Sequence, residues 1–411
     1  MHTPAEAARA IVARVQPLPP VRLPLRDALD RVLAEDVLSR IDLPPWDNSA
    51  MDGYAVRAAD LERAGAALRV IETVAAGAVP RLPVAAGEAT RIFTGAPLPA
   101  GVDTVIRQED TRLEGDRVVV TDLRDRGRNL RRRGEDIRAG ATVLRRGTPL
   151  GPAQLGVLAS VAHATPLVHP APRVAFLGSG DEIAELDETD AILAGTKIAS
   201  SNSYTLHALL RRAGAVPLDL GLARDTKDSL RERLTAARGA DLIVTSAGVS
   251  VGEHDLVRDV LAELGGELLL WRIRMRPGAP LGFGVLHGAP WIGLPGNPVS
   301  TMVTFELFVR PTVRRLQGYS LPYRRAVAVR VGEPITLGPR LRHFLRATIT
   351  TREDGVLEAR LAGPQGSGIL TSMAAAHALL IVPEDRPAIE AGEMLQAILL
   401  DDPHHVEEPP F

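Results

Sequence analysis

The segment from Pro172 to Val309 constrains the fold most, because short apolar runs there alternate with stretches of helical period. Val174–Leu177, Val216–Leu220, Leu242–Val244, Leu268–Ile273 and Trp291–Leu294 read as strands. Ser203–Ala213, Thr226–Ala237, Asp255–Leu264 and Val299–Val309 read as helices. In the first helix Leu206, Leu209 and Leu210 share one face, and Gly214 stands where a helix ends in a left-handed residue. Strands alternating with helices of about ten residues predict a parallel, doubly wound sheet.

The flanks have a different texture. Between 44 and 137, Leu68–Val74, Thr90–Phe93, Thr104–Ile106 and Val118–Thr121 are β-rich runs among glycines and prolines, with Gly115-Asp116 as a turn. After Leu321, the runs Ala326–Val331, Phe344–Thr350, Val356–Leu361, Leu379–Val382 and Leu395–Leu399, with a hairpin signal at Asp354-Gly355, predict a second small β domain, a barrel. Residues 1–43 and 138–170 carry helical patterns and are expected to pack together as a connecting domain. Thr3-Pro4-Ala5-Glu6 has capping-box spacing, and Ala8, Ile11, Val12 and Val15 follow on one face. The expected fold class is therefore α+β and multidomain. A helical connecting domain (1–43 and 138–170), a β domain (44–137), a central doubly wound α/β domain (171–320) and a β-barrel domain (321–411) make it up. Asp401–Phe411 reads as an acidic tail.

Composition narrows the function. Of 411 residues none is cysteine, which excludes disulfides, thiolate metal sites and a cysteine nucleophile. A net charge of −2 and 3% aromatics give neither a basic field nor stacking platforms, so no nucleic-acid partner is expected. The apolar run Ala378–Val382 is too short to span a bilayer, and the first helix is amphipathic rather than a leader, so no membrane partner and a cytoplasmic location are expected. Of the 48 basic residues only Lys197 and Lys227 are lysine, leaving 46 arginines.

In open α/β sheets, ligands bind where loops leave the carboxyl ends of strands. Three small polar loops do so here: Gly178–Glu182 with Ser179 and Gly180, Ser246–Ser250 with Gly248, and Leu294–Pro298 with Gly296 and Asn297. Glycines let the backbone approach an anion, and hydroxyls donate to it. Carboxylates flank these loops: Asp181, Glu182, Asp225 and Asp255. Such an oxygen-rich set suits Mg²⁺ bound through one or two carboxylates plus phosphate oxygens, whereas helix capping is the plainer role for Asp225 and Asp255 taken singly. Arg272 and Arg276 follow the next strand, and planar guanidinium forks suit oxyanions. No GxxxxGK[ST], full dinucleotide fingerprint or HExxH occurs.

Seven motifs occur in one order: Asp47–Val56, Thr94–Pro99, Gly134-Glu135-Asp136, Gly178–Glu182, Gly248–Asp255, Met275-Arg276-Pro277-Gly278 and Gly293–Ser300. Together they resemble the molybdopterin molybdenumtransferase family, which includes the homologous part of gephyrin, over about residues 5 to 400. The resemblance implies the four-domain layout above and insertion of molybdenum from molybdate into adenylylated molybdopterin, with release of AMP. It implies catalytic roles for Asp52, Thr94, Asp136, Glu182, Asp225 and Asp255, with Glu182 and Asp255 holding Mg²⁺. It implies substrate contacts at Pro295 and Pro298, and molybdate contacts at Arg276, Ser300, Arg346 and Ser367. It also implies a homodimer with a shared active-site cleft, and the upstream adenylyltransferase as a further partner. Arg272 and Arg276 stand where the family usually has lysines, Ala279 where a lysine is common, and Ala247 where a glycine is common. Two other readings of the same fold remain. One is the adenylyltransferase itself, whose GGTG loop is Ser246-Ala247-Gly248-Val249 here; the other is a noncatalytic scaffold.

Overall fold

A computed structural model describes residues 2–247, 256–338 and 340–400. Gly248, Ser250 and Asp255 lie outside the described residues, as does the tail. The chain divides into two compact units. One comprises Met1–Leu23, Ala28–Ala34 and Leu167–Phe411; the other comprises Pro24–Asp27 and Glu35–Pro166.

The first unit is built on a six-stranded sheet ordered Val216–Ala223, Arg173–Ser179, Leu242–Ser246, Ala289–Leu294, Gly282–Leu286, Glu267–Trp271. Adjacent strands among the first four pair in parallel, but the last two pair antiparallel. The sheet is therefore mixed, not wholly parallel as expected. The cause is local. His287-Gly288, both at positive φ (54° and 81°), close a hairpin between Gly282–Leu286 and Ala289–Leu294 and leave no room for a crossover helix.

Alternate residues of the strands serve opposite faces. Val174, Phe176, Val244, Ile292 and Leu294 pack with Leu206 and Leu210 of the Ser201–Arg212 helix and with Val303, Phe308 and Val313 of the helical run after Pro298. Ala175, Leu177, Ile243 and Trp291 pack with Leu230 and Leu234 of Lys227–Ala236 and with Val257 and Val260 of Leu256–Glu263. The helix expected to end at Val309 continues. Pro298–Thr304 passes through a π turn at Phe305–Val309 into Arg310–Leu316. Pro311 has no N–H and its ring crowds the preceding turn, which widens the helix there.

The Pro4–Ala13 helix buries Ala7 and Ile11 in the first of these cores rather than in a separate connecting domain. Thr3 and Glu6 form the capping box, with the Thr3 N–H donating to Glu6 Oε2 at 2.9 Å. Among the described residues of 1–43 and 138–170, the only other α-helix is Pro152–Ser160. Short strands such as Val21–Arg22, Val32–Leu33 and Leu167–His169 replace much of the expected helical texture. Apolar dipeptides between prolines and charged residues are too short to hold a helix and pair instead.

In the same unit, Arg342–Thr351, Leu357–Leu361, Ala326–Val331, Met394–Leu399 and Ala378–Val382 pair in that order, and the last pairs back to the first. This closes a barrel around Val329, Leu345, Ala347, Ala359, Leu380 and Ala397. Met275–Arg276 adds in parallel to Arg342–His343 at its margin. The second unit holds a six-stranded sheet ordered Thr104–Arg107, Gly53–Val56, Glu88–Ile92, Ala66–Val74, Arg117–Val120, Thr111–Glu114, packed on Val56, Leu61, Leu68, Ile106 and Val118. Among the described residues no helix is long and apolar enough to cross a membrane.

Candidate active site

The loops at the carboxyl ends of Arg173–Ser179, Leu242–Ser246 and Ala289–Leu294 line a cavity of about 520 Å³. Ser179, Glu182, Ser246, Pro295, Gly296, Asn297 and Pro298 all contribute to its wall. Three of the loops singled out in the sequence thus meet at one place, because their strands are parallel neighbours.

Glu182 is exposed toward this space. Gly180 holds it there. At φ 142° a side chain is strained, and a Cβ would lie 2.8 Å and 2.9 Å from the Glu182 carboxylate oxygens. Asp181 and Asp225 are tied reciprocally, each carboxylate accepting from the other's backbone N–H at 3.3 Å. Lys197 donates to the Asp181 carbonyl. Asp225 does not cap a helix. Thr226 is the cap of Lys227–Ala236, its hydroxyl accepting from the Ser229 N–H.

Two residues that the sequence reading passed over organise the site. Asn202, in the first turn of Ser201–Arg212, donates through Nδ2 to Ser246 Oγ at 2.8 Å and to the Gly296 carbonyl at 2.7 Å, which ties two loops together. Its Oδ1 is buried without a hydrogen-bond partner. The sequence reading, which starts this helix at Ser203, leaves Asn202 at the ordinary cap position for an asparagine, so no signal set it apart. Gln365 is the other: its amide pairs with the backbone N–H and carbonyl of Arg346 at 2.9 and 3.1 Å. Ala247 sits at φ 77°, the conformation that the glycine usual at this position would adopt without strain.

A second cavity, about 250 Å³, is lined by Arg276, Pro277, Arg346, Gln365 and Gly366 among others. Arg276 is exposed, whereas Arg346 is fully buried at 0%. The Arg346 guanidinium donates to the carbonyls of Pro364 (2.8 Å), Gln365 (3.2 Å) and Gly366 (3.0 Å) and to Ser372 Oγ (3.0 Å). Burial lowers its pKa from the ordinary arginine value. It braces the Pro364–Gly366 loop and is not an open fork. Arg346→Ala is therefore expected to cost about 3 kcal/mol of stability, because three carbonyls lose a charged donor. Urea unfolding checks this; an unchanged midpoint would remove Arg346 as the loop's brace. Ser367 comes next along the chain, its hydroxyl accepting from Asn297 Nδ2 at 3.1 Å. Ser300 is buried in the Pro298–Thr304 helix. Arg272, at φ 84°, is exposed and does not line either cavity.

In the other unit the structure brings Asp52 and Thr94 together. Asp52 Oδ1 accepts from the Thr94 N–H at 2.8 Å and from its hydroxyl at 2.7 Å. The Thr94 backbone N–H, then its hydroxyl, hold the Asp52 carboxyl below the usual aspartate range, so it is ionised at neutral pH. Asp136 is exposed, and its N–H donates to the Leu43 carbonyl.

No group of three or more His, Asp or Glu side chains arranged for a metal occurs among the described residues. The donor set fits Mg²⁺ arriving with a phosphate-bearing ligand, since that ion takes one or two protein carboxylates and completes its shell with phosphate and water. Glu182 supplies such a carboxylate at the cavity wall.

Family models match along the chain: the MoeA N-terminal region (domain I and II) at residues 2–162, a probable molybdopterin binding domain at 175–315, and the MoeA C-terminal region (domain IV) at 328–400. A molybdopterin molybdenumtransferase of Haemophilus influenzae is 37% identical over 377 residues, covering 90% of this chain and 91% of that protein. One from Nostoc sp. is 36% identical over 373 residues, covering 88% and 85%. The crystal structure of a molybdopterin biosynthesis moeA protein from Pyrococcus horikoshii superposes with a TM-score of 0.80 at 30% identity, over 97% of this chain and all of the other. With motifs, cavity loops and three consecutive domain matches in one order, the chain belongs to the molybdopterin molybdenumtransferase (MoeA) family.

Proposed function

We propose that this chain is a molybdopterin molybdenumtransferase that inserts molybdenum from molybdate into adenylylated molybdopterin, releases AMP, requires Mg²⁺ and works as a homodimer with a shared cleft. One observation carries the reading. A large cavity of polar loops and a smaller arginine-lined one draw on the same short stretch of chain, with Gly368 lining the first and Gln365 and Gly366 the second. Two ligands of different size that must react with each other suit that arrangement.

Both substrates are anions, and their mutual repulsion grows as water leaves. Arg276 at the smaller cavity, with the buried charge of Arg346 behind its wall, offsets that cost for molybdate. In the larger cavity the hydroxyls of Ser179 and Ser246 and the backbone at Pro295–Pro298 receive the phosphoanhydride. Mg²⁺, when bound, neutralises phosphate charge as it builds on the leaving group. Glu182 is the residue that would hold it, with Asp255 as the second carboxylate. Attack of a water oxygen on the pterin-side phosphorus would break that phosphorus's bond to the bridging oxygen, AMP departing with that electron pair, while molybdenum is transferred as the ligand's two thiols displace one molybdate oxo group, which leaves with their protons as water. Asp52, ionised and locked to Thr94, would accept the proton of the attacking water.

The family resemblance implies the homodimer and its shared cleft, in which Asp52 and Thr94 of one unit and Glu182 of the other would serve one substrate. A cytoplasmic location and contact with the upstream adenylyltransferase are part of the same reading. The test is AMP release from adenylylated molybdopterin, with and without molybdate and Mg²⁺. Release should need both, and release indifferent to molybdate would overturn the transferase reading.

A further inference from the structure

Asn297 stands at the N-cap of the Pro298–Thr304 helix, yet its side chain makes no capping hydrogen bond. An asparagine there ordinarily accepts from the second or third N–H of the turn. Here the Val299 N–H, second in that turn, donates instead to the backbone carbonyl of Ser367 at 3.1 Å. The Asn297 amide is thereby released from capping. Its Nδ2 donates to Ser367 Oγ, also at 3.1 Å, across 70 residues of sequence. Ser367 is thus pinned to the helix start through both its carbonyl and its hydroxyl. Its preceding neighbours Gln365 and Gly366 line the arginine cavity, and Gly368 lines the larger one.

A serine hydroxyl has one proton and two lone pairs. Where a neighbour donates into one lone pair, the proton is free to be given elsewhere. We infer that Asn297 is a positioning residue that acts through Ser367: its amide N–H fills a lone pair of the hydroxyl and so turns the Ser367 proton toward the molybdate oxyanion. This rests on the reading above that Ser367 contacts molybdate. It gives Asn297 a role distinct from binding the pterin substrate, and it explains why the residue is an amide. An aspartate of the same shape would accept the Ser367 proton and leave the oxyanion without its donor.

Titration calorimetry of sodium molybdate into the full-length protein tests this as a double-mutant cycle. Ser367→Ala should weaken molybdate about tenfold, as one lost hydrogen bond to a charged ligand does. Asn297→Asp should weaken it at least about as much, and the double variant should bind within about twofold of the weaker single, because the aspartate has no hydroxyl left to capture. Asn297→Ala, which frees the hydroxyl without recapturing its proton, should lose only about threefold, and it forms a second cycle should the aspartate variant fail to fold. Losses that multiply in the double variant would show Asn297 acting on molybdate by its own charge or contact and would overturn the inference alone. So would wild-type affinity in both Asn297 variants. Wild-type affinity in Ser367→Ala would overturn the molybdate role of Ser367, and this inference with it.

Discussion

Glu182→Ala should lower Mg²⁺-dependent AMP release by at least about a hundredfold while leaving the unfolding free energy within about 0.5 kcal/mol. The side chain is exposed and engages none of the surrounding backbone in a described hydrogen bond, so little stability is lost with it. Its position depends on Gly180, whose missing Cβ is the space that the carboxylate occupies. Gly180→Ala should therefore reduce turnover through the same group, with adenylylated molybdopterin still bound. Asp255, outside the described residues, is expected to behave as Glu182 does. Rate and melting are the two measurements. A variant that melts early but turns over normally would make Glu182 a structural residue.

Mixing two inactive proteins should restore activity. Asp52→Ala and Glu182→Ala each remove a group from a different unit of the chain. In a homodimer whose cleft is shared between subunits, a mixed dimer has one intact site of two. With half of the dimers mixed, about a quarter of full activity returns. Subunit exchange is followed by native mass spectrometry on tagged partners. Exchange complete by mass with no recovered AMP release would place each site within a single chain.

The central strands were legible because they are apolar and end in small polar loops, as Leu242–Ser246 and Ala289–Leu294 show. Gly282–Leu286 was not, since Gly282 and Gly284 interrupt its apolar run. Gly284 in fact lets the strand pack closely on Glu267, whose carbonyl a Cβ would strike. The π turn was invisible for a different reason: Phe305–Val309 keeps an apolar face that either helical period satisfies, and the widening comes from Pro311. At the site, motif order pointed to the loops that line the cavity. It could not distinguish an open guanidinium from one consumed by carbonyls, as at Arg346. Nor could it find Asn202 and Gln365, whose work is done by amide groups reaching across segments far apart in sequence.

The parallel pairing of Met275–Arg276 with Arg342–His343 bears on exchanging parts between relatives. A recombinant enzyme that takes its barrel from another member of the family, joined after Leu321, would inherit the outer rim of that barrel from one parent and its bordering dipeptide from the other. Arg276 sits in that dipeptide, so a mismatched seam would displace a cavity-lining arginine relative to the loop braced by Arg346. The transplantable module is therefore not contiguous in sequence, and grafts should carry residues 275–276 along with the barrel to keep the pocket in register.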